Sequence, residues 1–349
     1  MVDILGCLST CLYVITGNEA DIHSLEQRHI YRIDHKKAGN IFTRIINFIY
    51  TQLKISYQLA KLTRKVDLWV FFIGGEGLLL PMVTAKLWRN RVLLALAGFP
   101  ENSSRGEKDP LYKIIGLLAR INLSLSDRIV VYSERIITER NLGKYQAKIS
   151  IAYEHHFDIN VFKVQNSLNK RRKVVGYIGG LSQTKGVPNF IDAIPKVLEQ
   201  ESSTQFLIGG EGNIQDKIKE RLGKNDLNTK VKFTGWIPHY DIPKYLNELK
   251  LLVLPSYSEG LPNIVLEAMA CGTPVLTTAV AAILDVIIDN ETGFIMEDNS
   301  PQCIAQNVIR ALNHPKLEKI TESARALVGK RFAFETVVQG YKNVLTTLK

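Results

Sequence analysis

The chain of 349 residues is 46% hydrophobic and 22% charged, which is an ordinary composition for a globular protein. It is longer than most single hydrophobic cores, so two domains are expected. The absence of low-complexity runs and solenoid-length repeats excludes a disordered or repeat class. The four cysteines form no CxxC pair and no zinc-spaced cluster with histidine. With no secretory leader pattern, this predicts a reducing, cytoplasmic setting.

The net charge of +10 is concentrated in the first half of the chain. Residues 1–165 contain 22 Lys and Arg against 15 Asp and Glu, a net charge of +7. An anionic bilayer, an anionic substrate or a polyanion would suit this charge, as would simple solubility. No stripe of alternating aromatic and basic residues is present, so we do not expect nucleic acid to be the partner.

Strands and helices alternate along the first half. The first strand is either "DILGCL" or "CLYVIT", and "HIYRID" is the second. The runs "DLWVFFIGG", "RVLLALAG" and "RIVVYS" predict buried parallel strands, with "KISIAYEHHFD" closing the half. Helical spacing covers residues 41–62, 78–88 and 110–123, and a short helix starts at Glu134. This alternation predicts a mostly parallel α/β domain over residues 1–165.

The helical segment 41–65 mixes apolar residues with Arg and Lys. It is either a core helix with basic ends or a basic amphipathic helix able to lie on an anionic bilayer. Charged residues interrupt both of the most apolar windows, 41–62 and 66–88, so neither predicts a membrane span.

The polar, basic stretch "QNSLNKRRK", residues 165–173, is the best linker candidate. After it the strand–helix alternation restarts with "VVGYIGG", "TQFLIGG", "KVKFTGW", "LLVLPS", "TPVLTT" and "GFIME". We therefore predict a second Rossmann-like, doubly wound domain over 166–330. The terminal segment 331–349 is predicted to be a helix packing back on the N-terminal domain. Ligands of such domains bind at the carboxyl ends of the strands, so a cleft shared by the two domains is expected.

The segment "SEGLPNIVLEAMACGTPVL" carries Glu259 and Glu267 on either side of a predicted helix start. Pro262 suits the first helical position, and Gly272 suits the residue after the helix. The N–H groups of Gly260, Leu261, Asn263 and Ile264 then form an anion or hydroxyl site, and Glu267 can accept hydrogen bonds from a vicinal diol. In the alternative interpretation this segment is no ligand site: Glu259 is a solvent-exposed acid in a loop, and an ordinary amphipathic core helix follows it.

Three other segments follow predicted strands. "YIGGLSQTKG" places Gly179 and Gly180 before Lys185, which is suited to neutralising phosphate, although a plain strand–turn–helix has the same pattern. "IGGEGN" contributes Gly210, Glu211 and Gly212, and lacks the third glycine of the dinucleotide fingerprint. "VKFTGWIPHYD" contributes Trp236 and Ile237, which would suit either a nucleobase edge or core packing.

In this order and spacing, the four segments followed by "TGFIM" resemble the C-terminal half of retaining GT-B glycosyltransferases of glycosyltransferase family 4. The resemblance covers about residues 174–348 and extends loosely over the first half. It implies two Rossmann-like domains and transfer of a sugar from a nucleotide-sugar donor to a carbohydrate or lipid-linked acceptor. Retention of configuration and no essential metal or other cofactor are also implied. No D-x-D motif of the metal-dependent fold is present.

The resemblance also assigns roles to residues. Glu259 and Glu267 fit an E-x7-E motif, with Glu259 beside the donor sugar and Glu267 holding the ribose. Lys185 contacts the diphosphate, and the backbone of Trp236 and Ile237 contacts the base. The remaining predicted donor-binding positions are Gly179, Gly180, Gly210, Glu211, Gly212, Gly260, Leu261, Pro262 and Asn263.

The sequence departs from the family pattern at several positions. Gly180 replaces an arginine five residues before the lysine, Ala97 and Gly98 stand where a histidine is common, and "HHFD" replaces the interdomain motif. A nucleotide-sugar epimerase of the same fold and a non-catalytic nucleotide-sugar binder are therefore retained as alternatives. An epimerase would act on donor alone, whereas a binder would show no turnover. Polysaccharide, glycolipid and glycoprotein synthesis all remain open as pathways, at the inner face of the cell membrane or in the cytoplasm.

Overall fold

The computed structural model describes residues 1–17, 28–33, 40–96, 110–224 and 227–348. The chain divides into two compact units. The first consists of Met1–Glu154 and Val337–Lys349, and the second of His155–Thr336. The polar stretch 165–173 lies inside the second unit, while the end of the chain belongs to the first.

The first unit is built from parallel strands flanked by helices. Its strands are β1 (Leu12–Thr16), β2 (Arg28–Arg32), β3 (Leu68–Phe71), β4 (Arg91–Leu96), β5 (Arg128–Val131) and β6 (Ile149–Ile151). Its helices are α1 (Val2–Leu8), α2 (Ile41–Leu62), α3 (Leu79–Leu87), α4 (Pro110–Leu125) and α5 (Glu134–Glu139). Within the described ranges, β1 pairs with β2, and a separate sheet has the order β3-β4-β5-β6. All of these pairs are parallel.

The centre of the four-stranded sheet is buried on both faces. Five consecutive residues of β4, from Val92 to Leu96, are buried, as a near-continuous apolar run predicts for a parallel strand. The "CLYVIT" alternative for the first strand is confirmed by β1, whereas all of "DILGCL" lies in α1. A seven-residue helix is too short for its apolar period to distinguish it from a strand in sequence.

The second unit has a single six-stranded parallel sheet within the described residues. Its strands are β7 (Val174–Ile178), β8 (Gln205–Gly209), β9 (Val231–Gly235), β10 (Leu251–Leu254), β11 (Val275–Thr278) and β12 (Phe294–Met296). Its helices are α6 (Val187–Gln200), α7 (Gln215–Lys224), α8 (Ile242–Glu248), α9 (Asn263–Ala270), α10 (Pro301–Leu312) and α11 (Leu317–Phe332). Helix α12 (Phe334–Thr346) begins in this unit and continues into the first.

The strand order of the second unit is β9-β8-β7-β10-β11-β12. Numbered from the start of the unit this is 3-2-1-4-5-6, the order of a dinucleotide-binding Rossmann sheet. The predicted α/β class with a doubly wound second half is confirmed. The order reverses direction between β7 and β10, so the loops that follow these two strands run to opposite sides and leave a crevice.

Helix α9 shows how the local sequence sets the geometry of this crevice. Pro262 has an extended ψ of 130° and is the N-cap, so the helix begins one residue later than predicted, at Asn263. The predicted role of Gly272 is confirmed, because its φ of +66° lies in the left-handed region just after the helix. Gly272 N–H donates to Met269 O at 3.1 Å and Thr273 N–H to Ala268 O at 2.8 Å, which closes a Schellman motif.

Helix α2 has the bounds that its spacing predicts, and it is packed on one side only. Leu59, Leu62 and Gln52 are buried, and Gln52 Oε1 accepts a hydrogen bond from Leu80 N–H of α3 at 2.9 Å. Several other large apolar side chains of the helix are exposed. Across the ranges that the structure describes, no helix combines the length and apolar character needed to cross a bilayer.

Candidate active site

Two predicted site residues meet at the point where the strand order of the second unit reverses. Lys185 ends a short 3-10 turn after β7, and Glu259 lies in the loop after β10. The two loops are held together by a hydrogen bond from Tyr257 N–H to Thr184 O at 2.9 Å. The carboxyl ends of adjacent strands thus bring together a lysine and a glutamate that are 74 positions apart in sequence.

Lys185 and Glu259 form an ion pair. The Nζ atom lies 2.6 Å from both carboxylate oxygens of Glu259. The Oε1 atom also accepts a hydrogen bond from the buried Ser256 hydroxyl at 2.8 Å. The Glu259 side chain is 9% exposed and the Lys185 side chain 33% exposed. The ammonium group is therefore the accessible member of the pair, held in place by a carboxylate that is largely covered.

The start of α9 presents unpaired backbone donors. In the described part of the chain, the N–H groups of Gly260, Leu261, Asn263 and Ile264 have no acceptor. The first turn of a helix carries partial positive charge, which adds to these donors. This arrangement suits an anionic or hydroxyl-bearing ligand, as the sequence predicts.

Glu267 lies one turn further along α9 and is almost fully buried, at 5% exposure. Its Oε1 atom is 2.8 Å from Nε2 of His239, whose side chain is 73% exposed. Burial raises the pKa of the Glu267 carboxyl above its ordinary value, and the hydrogen bond and charge of His239 oppose this shift. Glu267 thus belongs to a second pair, separate from that of Lys185 and Glu259.

The predicted glycines allow the backbones of the loops after β7 and β8 to lie in direct contact. Gly179 N–H donates to Gly209 O at 3.0 Å, and Leu181 N–H donates to Glu211 O at 2.8 Å. A Cβ atom on Gly210 would lie 1.9 Å from Gly179 O, and one on Gly212 would lie 2.0 Å from Leu181 O. These two positions therefore require glycine, and they fix the loop after β8 against the loop after β7.

Gly180 differs from these glycines, because a Cβ atom there would meet nothing within 4 Å. Its carbonyl oxygen accepts a hydrogen bond from the Tyr177 hydroxyl at 2.8 Å. Burial, and secondarily the charge of Glu259, raises the pKa of Tyr177. Tyr177 is therefore a neutral hydrogen-bond donor that shapes the loop, and the position of Gly180 has room for a side chain.

The predicted nucleobase contact follows β9. Trp236 is 63% exposed, so it does not pack in the core, while Ile237 is buried and lies against the position of Gly209. Leu261 is also buried, and Pro262 caps α9. Of these residues only Trp236 presents a large side-chain surface to solvent, and the others contribute backbone groups.

His155 of the "HHFD" segment contacts the start of α9. His155 Nδ1 lies 2.8 Å from Oδ1 of Asn263, the first residue of α9. Burial lowers the pKa of His155, and this hydrogen bond opposes the shift. The neutral ring therefore holds the Asn263 amide at the helix start. Ala97 and Gly98, where related sequences carry a histidine, lie outside the described residues.

Two side chains of this arrangement were not among the predicted site residues. Ser256 lies two residues after β10 and positions Glu259, and His239 lies three residues after Trp236 and contacts Glu267. Polar residues close to the end of a parallel strand are a usable signal for Ser256. His239 has no comparable signal, because its partner is 28 positions away. Among the described residues no cluster of three His, Cys, Asp or Glu side chains could hold a metal ion.

Comparison with known proteins finds a family match within the second unit. Residues 158–327 match the family described as Glycosyl transferases group 1. The matched segment contains the Lys185–Glu259 pair and helix α9. The match covers just under half of the chain, so it does not extend to the first unit.

Curated proteins similar to the chain come from several organisms. An uncharacterized glycosyltransferase of Methanocaldococcus jannaschii is 28% identical over 172 residues, 49% of this chain and 47% of the relative. The capsular polysaccharide biosynthesis glycosyltransferase CapM of Staphylococcus aureus is 25% identical over 255 residues, 68% of this chain and 66% of CapM. The chain spans about half to two thirds of the length of these relatives.

Solved structures similar to the chain share its fold. Sucrose-phosphate synthase of Thermosynechococcus elongatus has a TM-score of 0.79 at 18% identity, covering 99% of this chain and 90% of that protein. HepE of Anabaena, in complex with UDP and glucose, has a TM-score of 0.71 at 18% identity, covering 92% and 87%. These neighbours have the GT-B fold, which agrees with the predicted fold class. At this identity the likeness concerns the fold alone.

Proposed function

We propose that the chain is a retaining glycosyltransferase that moves a sugar from a nucleotide-sugar donor to an acceptor hydroxyl. The observation that carries the proposal is the Lys185–Glu259 ion pair beside the four unpaired N–H groups at the start of α9. A fixed cation and a set of backbone donors at one helix start suit a leaving diphosphate. The match to Glycosyl transferases group 1 supports the reaction class.

The donor would occupy the crevice after β7 and β10. The Glu267 carboxylate would accept hydrogen bonds from the two ribose hydroxyls, and the backbone at Trp236 and Ile237 would contact the base. The N–H groups of Gly260 and Leu261 would bind sugar hydroxyls and phosphate. The likeness in fold to HepE, whose structure contains UDP and glucose, supports a donor of the nucleotide-sugar class.

The chemical step would be a front-face displacement. The acceptor oxygen bonds to the anomeric carbon as the bond from that carbon to the phosphate oxygen breaks on the same face. The hydroxyl proton passes to the departing phosphate oxygen. Lys185 and the α9 donors stabilise the charge that develops on the diphosphate. Glu259 positions Lys185 and lies beside the sugar, and neither glutamate forms a covalent bond to it.

This arrangement supplies its positive charge from the chain itself, so we propose that transfer needs no metal ion or other cofactor. Lys185 and the helix start would take the place of a divalent cation at the diphosphate. Activity that persists in the presence of a chelator is the expected result, and loss of activity that Mg²⁺ or Mn²⁺ restores would contradict it.

We further propose a role in cell-envelope polysaccharide, glycolipid or glycoprotein synthesis, with the acceptor being a carbohydrate or a lipid-linked sugar at the cytoplasmic side of the cell membrane. The similarity to CapM, a capsular polysaccharide biosynthesis glycosyltransferase, supports the first of these settings.

Donor binding can be tested by calorimetry with UDP-, GDP- and ADP-sugars. Tight binding of one donor class is expected, with affinity lowered about a hundredfold in Glu267→Ala, since two hydrogen bonds to a charged group are lost. Glu291→Ala, an exposed glutamate of the same unit, is the matched control. Absence of binding to any of these donors by folded protein would contradict the proposal.

Retention is tested separately once an acceptor is found. The anomeric configuration of the product, measured by NMR coupling constants, is expected to equal that of the donor. An inverted product would contradict the front-face mechanism but leave the donor site intact. Turnover of donor to an epimer without acceptor would favour the epimerase alternative.

A further inference from the structure

Helix α2 of the first unit has two apolar faces, of which only one is packed. At 3.6 residues per turn, successive side chains are about 100° apart around the helix. The buried residues Gln52, Leu59 and Leu62 therefore fall on one face, which contacts α3. A helix of a globular protein normally needs no second apolar face, because its remaining surface meets water.

The second face, here called the outer stripe, consists of six large side chains spread over about 100° of arc on the far side of the helix. Their exposed fractions range from 48% to 69%. The outer stripe is formed by Phe42, Ile46, Ile49, Tyr50, Leu53 and Tyr57. Soluble monomers seldom expose large contiguous apolar patches without a binding partner.

Cations accompany the outer stripe, and anions do not. Residues 40–66 contain five Lys and Arg and no Asp or Glu. The ammonium groups of Lys54 and Lys61 lie 4.6 Å and 4.3 Å from the ring centroids of Tyr50 and Tyr57, so their aliphatic stems run along the stripe. Beyond them, Arg64 and Lys65 are exposed at the end of the helix.

The neighbouring helix α4 has the same property. Ile114, Leu117 and Ile121 are spaced three and four residues apart and are 44%, 61% and 40% exposed. Helix α3 contacts both α2 and α4, and the backbone position of Gly77 lies between Phe48 of α2 and Ile115 of α4. Both α2 and α4, each of which packs against α3, therefore carry exposed apolar residues.

Either a second copy of the chain or a phospholipid surface could cover these apolar residues, and the surrounding charges favour the phospholipid surface. In a twofold dimer the same patch faces itself, so the cations of one copy would oppose those of the other with no acid in residues 40–66 to pair with them. An anionic phospholipid surface presents negatively charged phosphates at the water interface and acyl chains beneath them. Exposed aromatic and aliphatic residues flanked by lysines match that chemistry.

We infer that the outer stripe of α2, with its lysines and arginines, docks the chain on the surface of a bilayer containing anionic phospholipid. The helix lies in the plane of the interface, with Phe42, Leu53 and Tyr57 in the acyl boundary and Lys61, Arg64 and Lys65 at the phosphates. This inference depends on the surface of the first unit alone and is independent of the proposed glycosyl transfer.

The experiment is flotation of the full chain with phosphatidylcholine vesicles, with and without phosphatidylglycerol. Binding is expected to the mixed vesicles and to weaken as salt is raised. The variant Phe42→Ser/Leu53→Ser/Tyr57→Ser is expected to bind at least about tenfold more weakly. The variant Lys61→Gln/Arg64→Gln/Lys65→Gln is expected to bind on the order of a hundredfold more weakly.

Ile288→Ser, an exposed apolar residue of the second unit, is the matched control and is expected to bind like the unchanged chain. Circular dichroism and thermal unfolding establish that each variant is folded. The inference is overturned if the unchanged chain fails to bind mixed vesicles, or if both variants bind as well as it does. It is also overturned if sedimentation shows a dimer that Leu53→Ser dissociates, because the outer stripe would then be a self-association surface.

Discussion

The Lys185 ammonium is the group on which the proposed chemistry depends most. It is held by both oxygens of Glu259, and Ser256 holds one of those oxygens in turn. A lysine fixed in this way loses little freedom when a diphosphate arrives, so its charge acts at full strength as the leaving group departs. A partly exposed ion pair contributes little to folding stability. Replacing Lys185 should therefore affect the reaction rate much more than the stability of the fold.

Replacing Lys185 by alanine is therefore expected to lower the transfer rate about a hundredfold or more while changing the midpoint of thermal unfolding little. Steady-state kinetics with a saturating donor measure the first effect, and calorimetry the second. Lys217→Ala, an exposed lysine of the same unit, should retain full activity. A variant of Lys185 with an unchanged rate would remove this residue from the mechanism.

His239 adjusts the charge state of Glu267. The carboxylate form accepts hydrogen bonds from both ribose hydroxyls, whereas the protonated form has one acceptor fewer. Burial raises the pKa of Glu267 and His239 opposes the rise, so removing His239 should raise that pKa further. Donor binding by His239→Ala is therefore expected to weaken as pH falls, starting at a higher pH than in the unchanged chain.

The measurement is the dissociation constant of the donor at intervals between about pH 5 and pH 8, above the ordinary carboxyl pKa of about 4.3. His239→Gln retains a hydrogen-bond donor without a charge and should shift the profile less than His239→Ala. If all three profiles coincide, His239 does not act on Glu267. A uniform loss of affinity at every pH would indicate a steric role instead.

The loops after β7 and β8 form one structural element of the site. Leu181 N–H bonds to Glu211 O, and neither Gly210 nor Gly212 has room for a side chain. Gly210 also has a φ of +128°, which side-chain-bearing residues rarely adopt. The proposed donor site therefore depends on two glycines that contact backbone atoms.

Gly212→Ala is expected to destabilise the chain by about 1–3 kcal/mol, since its Cβ atom would overlap Leu181 O and separate the loops. Thermal unfolding reports the loss, and donor binding should weaken with it. Gly180→Ala is the matched control in the same pair of loops, because its Cβ atom meets nothing within 4 Å. Equal stability of the two variants would contradict the close approach of the loops.

Element by element, periodicity predicted much of the fold. The bounds of α2 agree with the prediction, and the alternating strands of the second half form one parallel sheet. Helix α1 was not predicted, since seven residues with a single buried side chain give no clear period. The one-residue error at the start of α9 arose because Pro262 takes an extended ψ rather than a helical one.

The site was predicted less completely than the fold. Sequence spacing singled out Lys185, Glu259 and Glu267, because each follows a strand or lies near a helix start. It did not pair Lys185 with Glu259, and it did not select Ser256 or His239. Those relations depend on which strands lie side by side, and strand order is a property of tertiary packing that local pattern does not contain.

At the scale of the whole molecule, buried carboxyls of the first unit link stability to pH. Burial raises the pKa of Glu76, and it raises the pKa of Glu154 to about 7. A raised pKa means that the folded chain binds these protons more tightly than the unfolded chain. The contribution of Glu154 to stability is therefore full below the unfolded value of 4.5 and is lost as pH rises towards about 7, and the contribution of Glu76 is lost in the same direction.

Thermal unfolding measured at intervals between these values is expected to show a falling midpoint for the unchanged chain. Glu154→Gln, which stays neutral throughout, should show a shallower fall, and Glu76→Gln should behave in the same way. Parallel curves for the unchanged chain and both variants would show that other groups determine the pH dependence.

The bridge between Phe157 and Ala333 brings the two ends of the second unit side by side. Phe157 N–H donates to Phe332 O at 3.3 Å, and the chain enters this unit at His155 and leaves it at Thr336. The unit is thus an insertion whose entry and exit coincide, a geometry that tolerates circular permutation and exchange between proteins. Under the proposed function, donor binding would belong to a unit that can be transplanted as a whole, so that donor specificity could be changed without altering the first unit.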